Sequence, residues 1–186
     1  MKRTLLAGLC LLLGSPLWAQ SALPFAVGGP FSLTDHTGAA RTHIDPKGQP
    51  QLLFFGYANC PGICTAALPM MVGMVEQLAK KGVTATPVMI TVDPARDRVG
   101  NMQGLLDYHP DFIGLTGDQT ALDAAYKAFS VEHKPAYEDP EYGPVYSHGS
   151  LIYLLDAKGK VLTLIPPVLD EWTATNIALK YVKPAD

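Results

Sequence analysis

The stretch that decides the fold of this chain is residues 51–64, QLLFFGYANCPGIC. Residues 51–57 are a continuous apolar run of strand length, which is typical of a central strand covered on both faces. After the second cysteine, apolar residues recur at steps of three and four between Leu68 and Ala79. This spacing predicts a helix, and Gly82 is a suitable residue to end it. The sequence therefore predicts a strand, a short loop with two cysteines, and a helix.

The rest of the chain continues this alternation of strands and helices. Residues 87–92 form a second apolar run, and Asp170 is a suitable cap for a last helix that ends near residue 182. The remaining patterns predict strands at 31–35, 41–44, 112–115, 150–155 and 160–165, and helices at 101–109 and 120–129. We expect an α/β fold with a mixed central sheet flanked by helices. The thiol pair at a strand-to-helix junction is typical of a thioredoxin-like fold, which is the fold we expect. It has two additions, an N-terminal β-hairpin and an inserted loop or hairpin, residues 134–144, before the His148-bearing strand.

Residues 1–19 have the pattern of a cleavable signal peptide. Lys2 and Arg3 form a basic start, residues 5–13 are apolar, and Ala19 is the small residue that a signal peptidase accepts. The apolar run is shorter than the roughly 20 residues of a spanning helix. We therefore expect an exported, periplasmic protein with a single domain, residues 20–186, and no stable membrane span after cleavage. An uncleaved N-terminal membrane anchor is the alternative.

Composition excludes a nucleic-acid partner. The chain has 14 Lys and Arg against 17 Asp and Glu, a net charge of −3, so there is no basic excess to meet phosphates. Loss of the signal removes Cys10 and leaves Cys60 and Cys64 as the remaining thiols. Two exported thiols four positions apart indicate either a disulfide or a chemical site.

The chemistry of Cys60 and Cys64 is predicted from their position at the start of a helix. Unpaired N–H groups and the helix dipole favour thiolate there, so we expect both thiols to be acidic and partly exposed. A structural disulfide is disfavoured, because so small a loop stabilises a protein by only about 2 kcal/mol. With three residues between the cysteines, a disulfide can still form. The same spacing also allows the two sulfurs to lie farther apart, as two ligands of one metal ion do. Two soft thiolates favour Cu(I) or Zn and need a third ligand.

His148 is the first candidate for that third ligand. It lies in a small-residue loop, YSHGS, just before an apolar strand that can pass close to the cysteine helix. His133 is the second choice, on the far side of the 134–144 insertion.

Thioether ligands are available from three methionines, but their helical spacing favours packing in the core. These are Met70, Met71 and Met74. Asp93, Arg96 and Asp97 follow the second buried strand and could form a polar network near a metal. A turn with a cap and an ion pair is the preferred interpretation.

Five blocks of the sequence together carry a resemblance to a known family. They are FSLTDHTG (31–38), FFGYANCPGIC (54–64), VDPARD (92–97), FIGLTG (112–117) and SHGSLIYLLD (147–156). With these blocks the chain resembles the SCO/SenC family of copper chaperones for cytochrome c oxidase assembly. The resemblance covers nearly the whole chain after the signal. It implies a thioredoxin-like fold and one copper ion, as Cu(I) or Cu(II), bound by Cys60, Cys64 and His148. It also implies a copper-accepting partner, namely the binuclear copper site of an oxidase subunit or another exported copper protein, and a second copper chaperone as a possible donor.

Three positions depart from the family pattern. Gly62 and Ser147 stand where relatives usually have Asp, and Thr65 stands where they usually have Pro. Loss of an acidic neighbour at Ser147 is expected to weaken the orientation of the imidazole or lower the copper affinity.

Three functions remain open from the sequence. The first is a copper metallochaperone, which is a binding protein rather than an enzyme. The second is a thiol–disulfide reductase in which Cys60 and Cys64 form the catalytic redox pair and keep partner cysteines reduced. The third is a thioredoxin-like peroxidase, which is disfavoured because nothing upstream of Cys60 supplies the Thr and Pro that activate a peroxidatic cysteine.

Overall fold

The computed structural model describes residues 23–62 and 64–184. Within these ranges the chain forms nine strands and four helices. The strands are β1 (Ser32–Asp35), β2 (Ala40–Thr42), β3 (Gln51–Gly56), β4 (Thr86–Thr91), β5 (Ile113–Thr116), β6 (Lys134–Asp139), β7 (Gly143–Ser147), β8 (Ile152–Leu155) and β9 (Val161–Ile165). The helices are α1 (Cys64–Lys80), α2 (Gln103–Leu106), α3 (Gln119–Ala128) and α4 (Glu171–Ala178).

Seven of the strands form one mixed sheet in the order β2-β1-β5-β4-β3-β8-β9. Strands β3, β4 and β5 run parallel at its centre, while β1 and β8 pair antiparallel on either side. Every residue of β3 and of β4 is buried, which explains the two continuous apolar runs. The predicted mixed sheet with an N-terminal hairpin is therefore confirmed. The cysteine loop follows the end of β3, at the centre of this sheet.

Helix α1 covers the sheet and packs against α4. The three methionines of α1 are buried, with side-chain exposures of 0 to 5%, so the prediction that they belong to the core is confirmed. Helix α4 begins where the sequence predicts, because the Asp170 carboxylate accepts a hydrogen bond from the Thr173 amide at 2.9 Å. It ends at Ala178, earlier than the predicted residue 182.

The 134–144 insertion is a β-hairpin with a sheet of its own. Strands β6 and β7 pair with each other and form a separate two-stranded sheet. His148 follows the last residue of β7 and lies in the connection to β8, which confirms the predicted small-residue loop before an apolar strand. Only small residues and Leu151 separate it from β8, which leaves no alternating pattern to extend the strand.

The predicted helix at 101–109 is shorter than expected. Helix α2 spans four residues, and Met102 caps it without a side-chain hydrogen bond. Within α2, only Leu105 is buried. A helix with neither a cap nor an apolar face has little to extend it.

The predicted signal peptide and its alternative as an anchor lie outside the described residues. In residues 23–62 and 64–184, none of the helices combines the length and the apolar character that crossing a bilayer requires.

Candidate metal centre

The cysteine loop is held in place by backbone hydrogen bonds at the end of β3. The Cys60 amide donates to the Tyr57 carbonyl at 3.2 Å, which closes a tight turn. The Ala58 amide donates to Oδ2 of Asp97 at 3.0 Å, and Asp97 also accepts from the Thr91 hydroxyl at 2.7 Å. The loop is therefore tied to the end of β4 as well as to β3. Cys64 is the first residue of α1 and is 1% exposed.

His148 reaches this loop from the β7–β8 connection. Its ring packs edge-on against Phe54 and Tyr57, with centroid separations of 5.8 and 5.9 Å. Its Nδ1 donates to the Gly149 carbonyl at 2.9 Å. Since a carbonyl only accepts, the proton sits on Nδ1 and the lone pair is on Nε2. The imidazole is thereby fixed in the tautomer that a metal ion requires at Nε2.

The two sulfurs and this nitrogen converge on one point. His148 Nε2 lies 3.9 Å from Cys60 Sγ and 3.7 Å from Cys64 Sγ, and the three ligand atoms all lie within 4.8 Å of one another. A metal at about 2.0 Å from nitrogen and about 2.3 Å from sulfur separates N and S by about 3.7 Å in a planar trigonal site. The observed N–S distances agree with this value. Both cysteines are free thiols in the structure.

The second-choice histidine is placed elsewhere. His133 packs against Tyr126 next to β6, with 4.4 Å between the ring centroids and 57° between the ring planes. Among the described residues, the group of side chains that could hold a metal at the two thiols contains His148 and not His133. The structure thus brings His148, and not His133, to the two thiols.

The two thiols differ sharply in acidity. A hydrogen bond from the Cys64 thiol lowers the pKa of Cys60 to about 4, although burial opposes this shift. The pKa of Cys64 is raised, because its proton is held by the Cys60 thiolate and because the side chain is buried. The expectation that both thiols are acidic is therefore wrong for Cys64. The helix terminus favours thiolate at either position, but two sulfurs in contact share one proton.

The structure also shows what stands at the three unusual positions. Ser147 is exposed, and a backbone carbonyl, that of Gly149, accepts the hydrogen bond from His148 Nδ1. Gly62 is exposed as well. The Thr65 hydroxyl donates to the Gly62 carbonyl at 2.7 Å and closes the turn between the cysteines.

Sequence reasoning missed the extent of the network at the end of β4. The predicted ion pair between Asp93 and Arg96 is confirmed. Arg96 also donates to the Tyr142 carbonyl and, at 2.7 Å, to the Pro144 carbonyl, both in the β6–β7 hairpin. Asp97 reaches the cysteine loop, and burial raises its pKa to about 6. The VDPARD block was visible in the sequence, but its long-range contacts were not.

The fold and the site define a thioredoxin-like protein that presents two thiols and one imidazole to a single ion. A family model described as SCO1/SenC matches residues 19–183. The chain belongs to the SCO1/SenC family.

Named relatives agree with this assignment. The SCO2-like protein of Rickettsia felis is 37% identical over 140 residues, which cover 73% of this chain and 67% of that protein. The mitochondrial SCO1 homolog of Homo sapiens is 33% identical over 141 residues, or 73% of this chain and 46% of the human protein. The chain thus aligns with less than half of the human relative.

Solved structures show the same fold. Arabidopsis thaliana ScoI with copper bound superposes with a TM-score of 0.76 at 28% identity, over 83% of this chain and 97% of that one. Yeast Sco1 with copper bound gives a TM-score of 0.75 at 31% identity, over 87% of this chain and 91% of that one.

Proposed function

We propose that this protein is a metallochaperone that carries one copper ion as cargo on Cys60, Cys64 and His148. The observation that carries the proposal is the convergence of Nε2 and the two sulfurs within 4.8 Å, with Nδ1 already engaged. Two thiolates and an imidazole are a soft donor set, which suits Cu(I). The copper-bound Arabidopsis and yeast relatives support copper as the ion.

The site is suited to passing the ion on. Cys64 is deeply buried, while His148 is half-buried and both Gly62 and Ser147 are exposed. A three-coordinate ion leaves space for an incoming thiolate from a partner. The imidazole leaves as a neutral group, so its departure does not pull a negative charge away from the copper ion, as departure of a thiolate would. His148 is therefore the ligand whose release opens the site for transfer.

The acceptor we propose is the binuclear copper site of a cytochrome oxidase subunit, or another exported copper protein. Membership in the SCO1/SenC family supports this choice. A second copper chaperone is the proposed donor. The N-terminal pattern at residues 1–19 supports export to the periplasm, with an N-terminal anchor as the alternative.

The test compares His148→Ala with a matched control, His133→Ala. Loss of a ligand should weaken Cu(I) binding by at least the roughly 10–100-fold seen for residues that only orient ligands. The control should keep the wild-type affinity in a competition with a Cu(I) chelator. A larger loss in His133→Ala than in His148→Ala would show that the third ligand is misassigned.

A thiol–disulfide reductase is the second candidate, and one observation favours it. An acidic Cys60 beside a protonated Cys64 is the arrangement of a nucleophilic thiolate and its resolving thiol. A reductase needs the two sulfurs and not the imidazole, so His148→Ala should still cycle between dithiol and disulfide. Equal copper affinity in wild type and both histidine variants would favour the reductase over the chaperone.

A further inference from the structure

The β6–β7 hairpin needs an anchor outside its own sheet. Its two strands pair only with each other, and five of the six residues of β6 are exposed. An isolated two-stranded hairpin is marginally stable in water. His148 follows the hairpin directly, so any movement of the hairpin moves the imidazole relative to the thiols.

Arg96 supplies that anchor. Its Nε donates to the Asp93 carboxylate, which is buried at the end of β4. Its Nη1 and Nη2 donate to the carbonyls of Tyr142 and Pro144, on either side of Gly143. One planar guanidinium thus joins the central sheet to the hairpin through three donors in a fixed arrangement. The more compact ammonium of a lysine has no such fork.

Gly143 is fitted to this contact. A Cβ added at Gly143 would lie 3.0 Å from Nη1 of Arg96. Its φ is +72°, which is a conformation that favours glycine. The close approach of the guanidinium therefore depends on a residue without a side chain at the start of β7.

Arg96 also touches the cysteine side of the site. Its guanidinium carbon lies 5.5 Å from the centre of the Tyr57 ring, and Tyr57 is three residues before Cys60. The Tyr57 hydroxyl accepts a hydrogen bond from the Tyr146 amide at 3.3 Å, two residues before His148. The two parts of the site are therefore joined twice, through Arg96 and through Tyr57.

We infer that Arg96 is a positioning residue for the copper site, which fastens the β6–β7 hairpin to the sheet and so keeps His148 against the thiols. The inference rests on the proposed copper site. It adds that copper affinity depends on a side chain that contacts neither the ion nor its ligands. Loss of the guanidinium fork leaves the Tyr57–Tyr146 hydrogen bond as the remaining described link between the two parts. The hairpin therefore loosens and holds the imidazole less firmly, while Cys60 and Cys64 remain in place.

The experiment is a double-mutant cycle on Cu(I) affinity with Arg96→Met and His148→Ala. Arg96→Met alone should weaken Cu(I) binding by about 10–100-fold, as other residues that orient ligands do. In the His148→Ala background it should cause no further loss, because Arg96 acts through the imidazole. X-ray absorption of the Cu(I)-loaded Arg96→Met protein should show sulfur ligation with the nitrogen contribution reduced. Equal losses in both backgrounds would overturn the inference and assign Arg96 a general structural role.

Two further variants keep the test decisive. Arg96→Lys retains the charge next to Asp93 and guards against misfolding of the methionine variant; it should lose copper affinity nearly as much, because the fork is gone. Arg98→Met removes an exposed arginine two residues away and should change nothing. Wild-type affinity in Arg96→Lys would contradict the inference.

Failure of the copper site itself gives a different result. In that case His148→Ala binds Cu(I) like the wild type, and amide hydrogen exchange of the copper-free protein decides the role of Arg96. Faster exchange at Tyr146 in Arg96→Met, with unchanged exchange in β3 and β4, supports the anchor. Unchanged exchange at Tyr146 overturns it.

Discussion

His148 Nε2 lies 3.7 Å from Cys64 Sγ, although 84 positions separate these residues in the chain. Cys64 is fixed at the first residue of α1, with 1% of its surface exposed. His148 belongs to a connection between two strands and is half-buried. The Cys64 sulfur is thus fixed by a helix, whereas the position of the His148 imidazole depends on a loop. The copper affinity of the proposed site should therefore depend on how firmly that connection is held.

Replacement of either cysteine should abolish stoichiometric Cu(I) binding. A single thiolate with an imidazole is a poor site for a soft ion. Native mass spectrometry of Cys60→Ser and Cys64→Ser should show the loss of the one-copper species that the reduced wild type forms. Unchanged copper loading in both variants would exclude the chelate.

Oxidation should eject the copper. A disulfide between Cys60 and Cys64 removes both thiolates, and metal ligation requires deprotonated sulfur. Copper content measured before and after oxidation, alongside a thiol assay, should show both falling together. If fully oxidised protein keeps its copper, the principal ligands lie elsewhere.

The metal-free protein should hold one thiolate over most of the pH range. The pKa of Cys60 is about 4, lowered by the hydrogen bond from Cys64, so this thiol ionises as the pH rises through about 4. The pKa of Cys64 is raised, so the second sulfur keeps its proton at neutral pH. Ultraviolet absorbance of the thiolate should therefore report one ionised sulfur at neutral pH. Cys60→Ser should remove the acidic step, and a step that survives this substitution would contradict the assignment.

Asp97→Asn should raise the stability of the protein at neutral pH. Burial raises the pKa of Asp97 to about 6, from an ordinary value of about 3.9, so the folded state holds this proton more tightly than the unfolded state. The protonated Asp97 carboxyl therefore favours the folded state over the unfolded state. This contribution to stability is complete below about pH 4 and is lost as the pH rises through about 6. The ionised carboxylate thus costs the folded state about 3 kcal/mol at neutral pH.

Asparagine removes this ionisation and retains a carbonyl oxygen for the hydrogen bonds from Ala58 and Thr91. Urea unfolding at about pH 4 and pH 7 should show a gain of about 1–3 kcal/mol over the wild type at the higher pH. Asp123→Asn, at an exposed position, is the matched control and should leave the difference between the two pH values unchanged. An Asp97→Asn variant with the wild-type pH dependence would show that Asp97 does not titrate in this range.

The central strand, the cysteine loop and the first helix were predictable because their signals are local. The run at residues 51–57 shows burial on both faces, and the spacing after Cys64 shows a helix with one apolar side. The choice of His148 also depended on local sequence, since a small-residue loop before an apolar strand is visible without coordinates. That the three side chains bind copper stays a prediction that the experiments above test.

Other features depend on contacts that no local pattern contains. The raised pKa of Cys64 follows from its contact with Cys60 and not from its place at a helix terminus. Strand β6 has no alternation to predict it, because nearly all of its residues are exposed. Arg96 meets residues 46 and 48 positions away, so its role becomes visible only when the hairpin is folded.

The separation of the ligands in sequence affects the resistance of the protein to unfolding and proteolysis. An ion on Cys60, Cys64 and His148 would cross-link the strand-to-helix junction after β3 to the β7–β8 connection. Only the native state presents all three ligand atoms together. By mass action, such a ligand stabilises the fold by about 2.7 kcal/mol at 100 times its Kd. The loaded protein should therefore resist heat and proteases better than the empty one. Release of the ion should leave the more easily degraded of the two forms.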